Sequence, residues 1–99
     1  CVLVDDIVDT AGTLNRSAAA LRDNGAARVL ACAVHGVLSG PALQRIEESA
    51  LEKLVVTNTI PPKSEFVASD KVEVLSVASL LGKAVRSIHD ETSVSSLFV

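Results

Sequence analysis

An α/β fold with a mostly parallel sheet flanked by helices is the class this sequence predicts, on three observations. Four short apolar segments, near 1–5, 28–34, 54–57 and 72–77, read as strands. Segments of helical period separate the first three, and such crossovers imply parallel neighbours with right-handed connections. Only Phe66 and Phe98 are aromatic although 48% of the residues are hydrophobic. The core must then be built from Val, Leu, Ile and Ala, as in parallel strands buried on both faces.

The first strand, 1–5, ends in two adjacent carboxylates, Asp5 and Asp6. Asp9-Thr10-Ala11-Gly12-Thr13 then opens a helix over 13–24. Leu14, Ala18 and Leu21 form its apolar stripe, with Arg16, Arg22 and Asp23 facing water. Gly25 suits its left-handed C-terminal cap. The run Val29-Leu30-Ala31-Cys32-Ala33-Val34 is continuously apolar and reads as a covered strand. Ser39-Gly40-Pro41 starts a short helix, about 41–48, with Pro41 at the first position, where its missing N–H costs nothing. Leu54 to Thr57 make a third strand, 60–70 a polar loop without a helix, and 72–77 a fourth strand whose relation to the third stays open. The last helix, about 77–89, carries Val77, Leu80, Leu81, Ala84, Val85 and Ile88 at helical spacing. No domain boundary falls within the 99 residues.

Composition narrows the function classes. A net charge of −3 without a Lys/Arg cluster argues against a nucleic-acid surface. No apolar run approaches the roughly 20 residues of a membrane span, and no signal-peptide pattern occurs. Cys1 and Cys32 lack a CxxC spacing and read as buried thiols of a reducing, cytoplasmic compartment. A start at Cys1, inside a strand and without Met, reads as a segment of a longer polypeptide.

The chemistry concentrates at 5–13. A loop leaving the C-terminal end of a strand sits where open α/β sheets bind ligands. Backbone N–H groups and the hydroxyls of Thr10 and Thr13 stand at a helix N-terminus, where aligned peptide dipoles favour an anion. Gly12 lets the backbone approach a phosphate closely. Asp5 and Asp6 suit sugar hydroxyls or a cation. Asp9 must be turned away, protonated or bonded to the loop's own N–H groups to sit beside a phosphate. His35, at the end of the second strand, reads first as a turn-capping histidine. Thr57-Asn58-Thr59 ends a strand at the same edge, where a turn role and a pocket-lining role are both open. His89 suits the negative end of the last helix. No Cys/His/Asp cluster has a zinc spacing, so metal ligands stay unassigned.

Residues 2–13 resemble the phosphoribosyl-pyrophosphate-binding loop of the type I phosphoribosyltransferase fold. With His35-Gly36-Val37-Leu38-Ser39-Gly40-Pro41-Ala42-Leu43, Val55-Val56-Thr57-Asn58-Thr59-Ile60-Pro61 and Ser93-Val94-Ser95-Ser96-Leu97-Phe98, the whole chain resembles the C-terminal third of the ribose-phosphate pyrophosphokinases. Residues 62–71 are the least family-like. Val34 also departs from the pattern, which has a hydroxyl residue before His-Gly.

The resemblance implies a phosphoribosyltransferase-like C-terminal part and transfer of pyrophosphate from Mg²⁺-bound ATP to ribose 5-phosphate. It implies that Asp5 contacts the ribose hydroxyls, that Asp9, Thr10, Ala11, Gly12 and Thr13 wrap the 5-phosphate, and that Asp6 touches sugar or metal. It maps Ser93, Val94 and Phe98 to a regulatory phosphate and ADP site between subunits of a dimer-based hexamer. The family's ATP pocket, metal-binding His and basic catalytic loop lie upstream of the matching region. The 99-residue chain alone is therefore expected to be inactive, with no catalytic residue of its own. Two other readings share the loop: a non-catalytic synthetase-associated subunit, and a phosphoribosyltransferase that consumes the product. The intact loop disfavours the first, and Thr57 to Pro61 with the Ser-rich ending disfavours the second.

Overall fold

Four strands pair in sequence order, β1 (Val2–Val8), β2 (Leu30–Gly36), β3 (Lys53–Thr57) and β4 (Val72–Leu75), and every pairing is parallel. This computed structural model describes residues 1–98, with Phe98 described in its backbone only. Helix α1 (Gly12–Asp23) joins β1 to β2, and α2 (Ala42–Glu47) joins β2 to β3. The predicted helix-free loop before β4 holds a one-turn helix, α3 (Ser64–Val67), which makes this connection a crossover too. Its Phe66 is only 1% exposed. A single aromatic in a polar stretch has no period to announce a helix, yet burying it fixes the turn.

Right-handed crossovers between consecutive strands put their helices on one side of the sheet. The core follows: Ala31, Ala33, Leu54, Val56 and Val72 from the sheet join Ala18, Ala42, Ile46 and Phe66 from the helices. The alternate strand positions form the other face, where Val2, Val4, Val34 and Leu75 remain exposed. The strands were expected to be covered on both faces; among the described residues this face has no second layer. Cys32, on that open face, is half-buried, and Cys1 precedes β1 and is exposed. Both thiols are free, and neither is the fully buried thiol expected.

Helix α1 ends as the sequence predicts. Gly25, at φ +96°, follows the cap, with Gly25 N–H donating to Arg22 C=O and Ala26 N–H to Leu21 C=O. This is the paired-bond left-handed ending that favours glycine. Helix α4 (Ala78–His89) forms where its period placed it but buries none of its residues. Asn58 fixes its start, its Oδ1 accepting from Val77 N–H at 2.9 Å. Its main neighbour is a 3-10 turn over Val94–Phe98. No helix among the described residues is long and apolar enough to cross a membrane.

Candidate functional site

Strand β1 continues three residues past the expected end, through the pairs Ile7 with His35 and Val8 with Gly36. Aspartate is disfavoured in strands, but β1 is an edge strand and both carboxylates stay exposed while the ladder continues. Asp5 and Asp6 therefore lie within the strand. Val8, only 4% exposed, is its buried last residue.

The turn Asp9-Thr10-Ala11 leads directly into α1. Ala11 takes the left-handed conformation, φ 64°, rarely adopted by a residue with a Cβ, and is itself buried. No side chain caps α1. The first intrahelical bond runs from Asn15 N–H to Ala11 C=O at 2.9 Å. The donors before it, at Gly12, Thr13 and Leu14, are those a helix leaves for an outside acceptor.

A second loop holds this turn from behind. Val37 N–H and Leu38 N–H both donate to Val8 C=O, at 3.0 and 3.1 Å, and Ser39 N–H donates to Asp9 C=O at 3.0 Å. The Ser39 hydroxyl donates to the Asp9 carboxylate. The charge of Asp9 is thus engaged by a neighbouring loop rather than by its own N–H groups. Arg45 of α2 reaches across, its Nη1 donating to Thr10 C=O at 3.2 Å.

Asp5, Asp9, Thr10, Ala11, Gly12 and Thr13 line one hollow of about 260 Å³, together with Ile7, Val8 and Leu14. Six of the seven residues proposed for sugar-phosphate binding are brought together there. Asp6 is outside its lining. A more open recess of about 390 Å³ adjoins it, sharing Thr10, Gly12 and Thr13 and adding Asn15, Arg16 and Arg45. Neither arginine has an ion-pair partner among the described residues. Asp5 is held below its ordinary pKa, first by hydrogen bonding with the Asp6 side chain and next by the Asp6 backbone N–H, which donates at 2.7 Å. The anionic form that accepts hydroxyl donors is therefore favoured at neutral pH.

The other candidates stand apart from the hollows. His35 Nδ1 hydrogen-bonds Thr59 Oγ1 at 2.8 Å, and Thr57 Oγ1 donates to Val34 C=O at 2.6 Å. These groups brace the ends of β2 and β3. Ser93 Oγ is 2.6 Å from Ser95 Oγ, and Val94 opens the 3-10 turn. The Phe98 side chain lies outside what is described. Ser39 and Arg45 were not anticipated: a serine before Gly-Pro reads as helix entry, and an arginine in a six-residue helix has no pattern that aims it at another loop.

Residues 1–99 match the phosphoribosyl synthetase-associated domain over their entire length. The chain belongs to that family. It is 58% identical over 99 residues to ribose-phosphate pyrophosphokinase 1 of Listeria monocytogenes serovar 1/2a, covering 99% of this chain and 30% of that protein. It is 52% identical over 97 residues to the ribose-phosphate pyrophosphokinase of Aquifex aeolicus, covering 98% and 30%. The crystal structure of phosphoribosylpyrophosphate synthetase from Mycobacterium smegmatis shares the fold at a TM-score of 0.87 and 40% identity, over 92% of this chain and 30% of that one. The resemblance to the ribose-phosphate pyrophosphokinases and the α/β class are both borne out. The chain spans about 30% of the length of these synthetase relatives.

Proposed function

We propose that residues 1–99 are the C-terminal ribose-phosphate-binding part of a phosphoribosyltransferase-like domain, in a protein that acts as a ribose-phosphate pyrophosphokinase. The reaction joins the 1-hydroxyl oxygen of ribose 5-phosphate to the β-phosphorus of ATP. The α–β bridging bond breaks, AMP leaves, the hydroxyl proton is lost, and phosphoribosyl pyrophosphate forms. The observation that carries this reading is one hollow lined by both the uncapped start of α1 and the exposed Asp5 carboxylate. An anion at such a helix start gains typically about 0.3–1 kcal/mol, more when partly buried. Thr10, Ala11, Gly12 and Thr13 hold the 5-phosphate, Asp5 accepts from the ribose hydroxyls, and Asp6 supports Asp5. Asp9 belongs to the turn, with its charge drawn toward Ser39. The work of this part is positioning.

ATP arrives with Mg²⁺ in this reading. Among the described residues no three His, Cys, Asp or Glu side chains converge, and no step is assigned to an ion held by this chain. The reading places the protein in the cytoplasm, as an assembly of several copies whose tail residues Ser93, Val94 and Phe98 contribute to a regulatory phosphate site. The apolar stripe of α4, with Leu81, Val85 and Ile88 at 56%, 66% and 69% exposure, supports assembly.

Calorimetric titration of ribose 5-phosphate into the chain, beside Gly12→Asp, tests the site. A Cβ at Gly12 meets Arg45 Nη1 at 3.0 Å, the movable end of a side chain, so the variant adds a negative charge to the turn beside that guanidinium, where it opposes a bound anion. Binding by the parent chain and at least tenfold weaker binding by the variant is the expected result. Equal binding by both would place the sugar phosphate elsewhere.

A further inference from the structure

We propose that Arg45 is a positioning residue for the phosphate turn, locking it in its anion-binding shape from α2. The inference deepens the reading above and rests on it for the identity of the ligand.

Three observations meet at this side chain. Its Nη1 donates to the Thr10 carbonyl at 3.2 Å, the only side-chain bond that α2 sends to the turn among the described residues. The same nitrogen stands 3.0 Å from where a Cβ would be at Gly12. Arg45 thus bonds the residue before the left-handed step at Ala11 and fills the space beside the residue after it, so the step is held where it would otherwise relax toward an ordinary backbone conformation. The guanidinium also lacks an ion-pair partner among the described residues, while the residue as a whole is half-buried. Its charge is left free to act on an anion held at the turn. A guanidinium is permanently charged and presents its donors in a rigid planar fork, so it can brace a carbonyl while keeping its charge.

Loss of Arg45 should release the turn without disturbing the interior of α1. The test compares the full chain with Arg45→Met, Arg45→Gln and Arg45→Lys by backbone ¹⁵N relaxation and by ribose 5-phosphate titration. Without ligand, order parameters at Thr10, Ala11 and Gly12 should fall from roughly 0.85 toward 0.6 in the Met and Gln variants, while those at Ala18 and Ala19 hold. The Lys variant, which retains charge and a donor, should recover part of the order. Affinity for ribose 5-phosphate should fall about tenfold with Met and less with Lys. Unchanged order at Thr10 to Gly12 in both neutral variants overturns the proposal whether or not sugar phosphate binds. Loosening spread evenly through α2 and α1 would make Arg45 merely structural and overturns it as well. Failure of the parent chain to bind sugar phosphate would strike the functional reading, while the ligand-free arm would still decide the role of Arg45.

Discussion

At the scale of single residues, the site is built from groups whose neighbours set their state. Asp5 is the clearest case. Its carboxyl titrates below the ordinary value, first through hydrogen bonding with the Asp6 side chain and next through the Asp6 N–H, which donates to it. A group whose folded pKa is depressed adds stability that is present above its unfolded pKa and lost as pH falls through the folded value. Urea unfolding of the parent chain should therefore show stability declining with acid below the ordinary aspartate range. Asp5→Asn should remove that part of the decline. Curves of equal slope for the two proteins in that range would show that Asp5 has no folded-state preference for its anion. The left-handed Ala11 is a second residue-scale device: it turns the chain sharply enough for α1 to begin immediately, so its first donors face the hollow.

At the scale of elements, what the sequence made legible depended on how each segment is stabilised. The strands β2 and β3 and the helices α1 and α4 were readable because apolar period and glycine chemistry write them locally. Gly25 ends α1 in the predicted manner. The turn leading into α1 was readable for the same reason, and the structure brings six of the seven candidate residues around it to one hollow. The length of β1 was not, because pairing with His35 and Gly36 carries the strand across two aspartates that propensity would exclude. Helix α3 was not, because one buried phenylalanine holds it. Ser39 and Arg45 were invisible for a further reason: their partners lie 30 and 35 residues away, and only the side-by-side pairing of β1 with β2 brings them in. The role of Phe66 can be measured. Phe66→Ala should cost about 3 kcal/mol of unfolding free energy in denaturant titration, the low end for emptying such a site. A loss under about 1 kcal/mol would mean that α3 is not anchored by this side chain.

At the scale of the whole molecule, the chain is elongated. Its extents are 50 × 29 × 19 Å and its radius of gyration is 15.8 Å. A compact chain of this length has a radius near about 13 Å. The excess fits a layer of helices on one sheet face only, with α4 standing off the sheet. The apolar surface left over is large: Val4 on the open face is 78% exposed, and Val85 and Ile88 on α4 are 66% and 69% exposed. The folded chain should therefore bind an apolar fluorescent dye at neutral pH. Val85→Lys with Ile88→Lys should remove a large share of that signal without lowering the unfolding midpoint, because neither residue is buried. Dye binding that is unaffected would place the responsive surface on the sheet face instead.

The strict succession of strands, each pairing with the one made just before it, also orders events in time. As the chain emerges during synthesis, β1, its turn and the start of α1 come first, but the groups that steady the turn come later. Ser39 follows β2, and Arg45 follows again on α2. The phosphate turn is thus an early part with late fasteners. A nascent chain halted before Val37 has every residue of the turn and none of the groups that steady it.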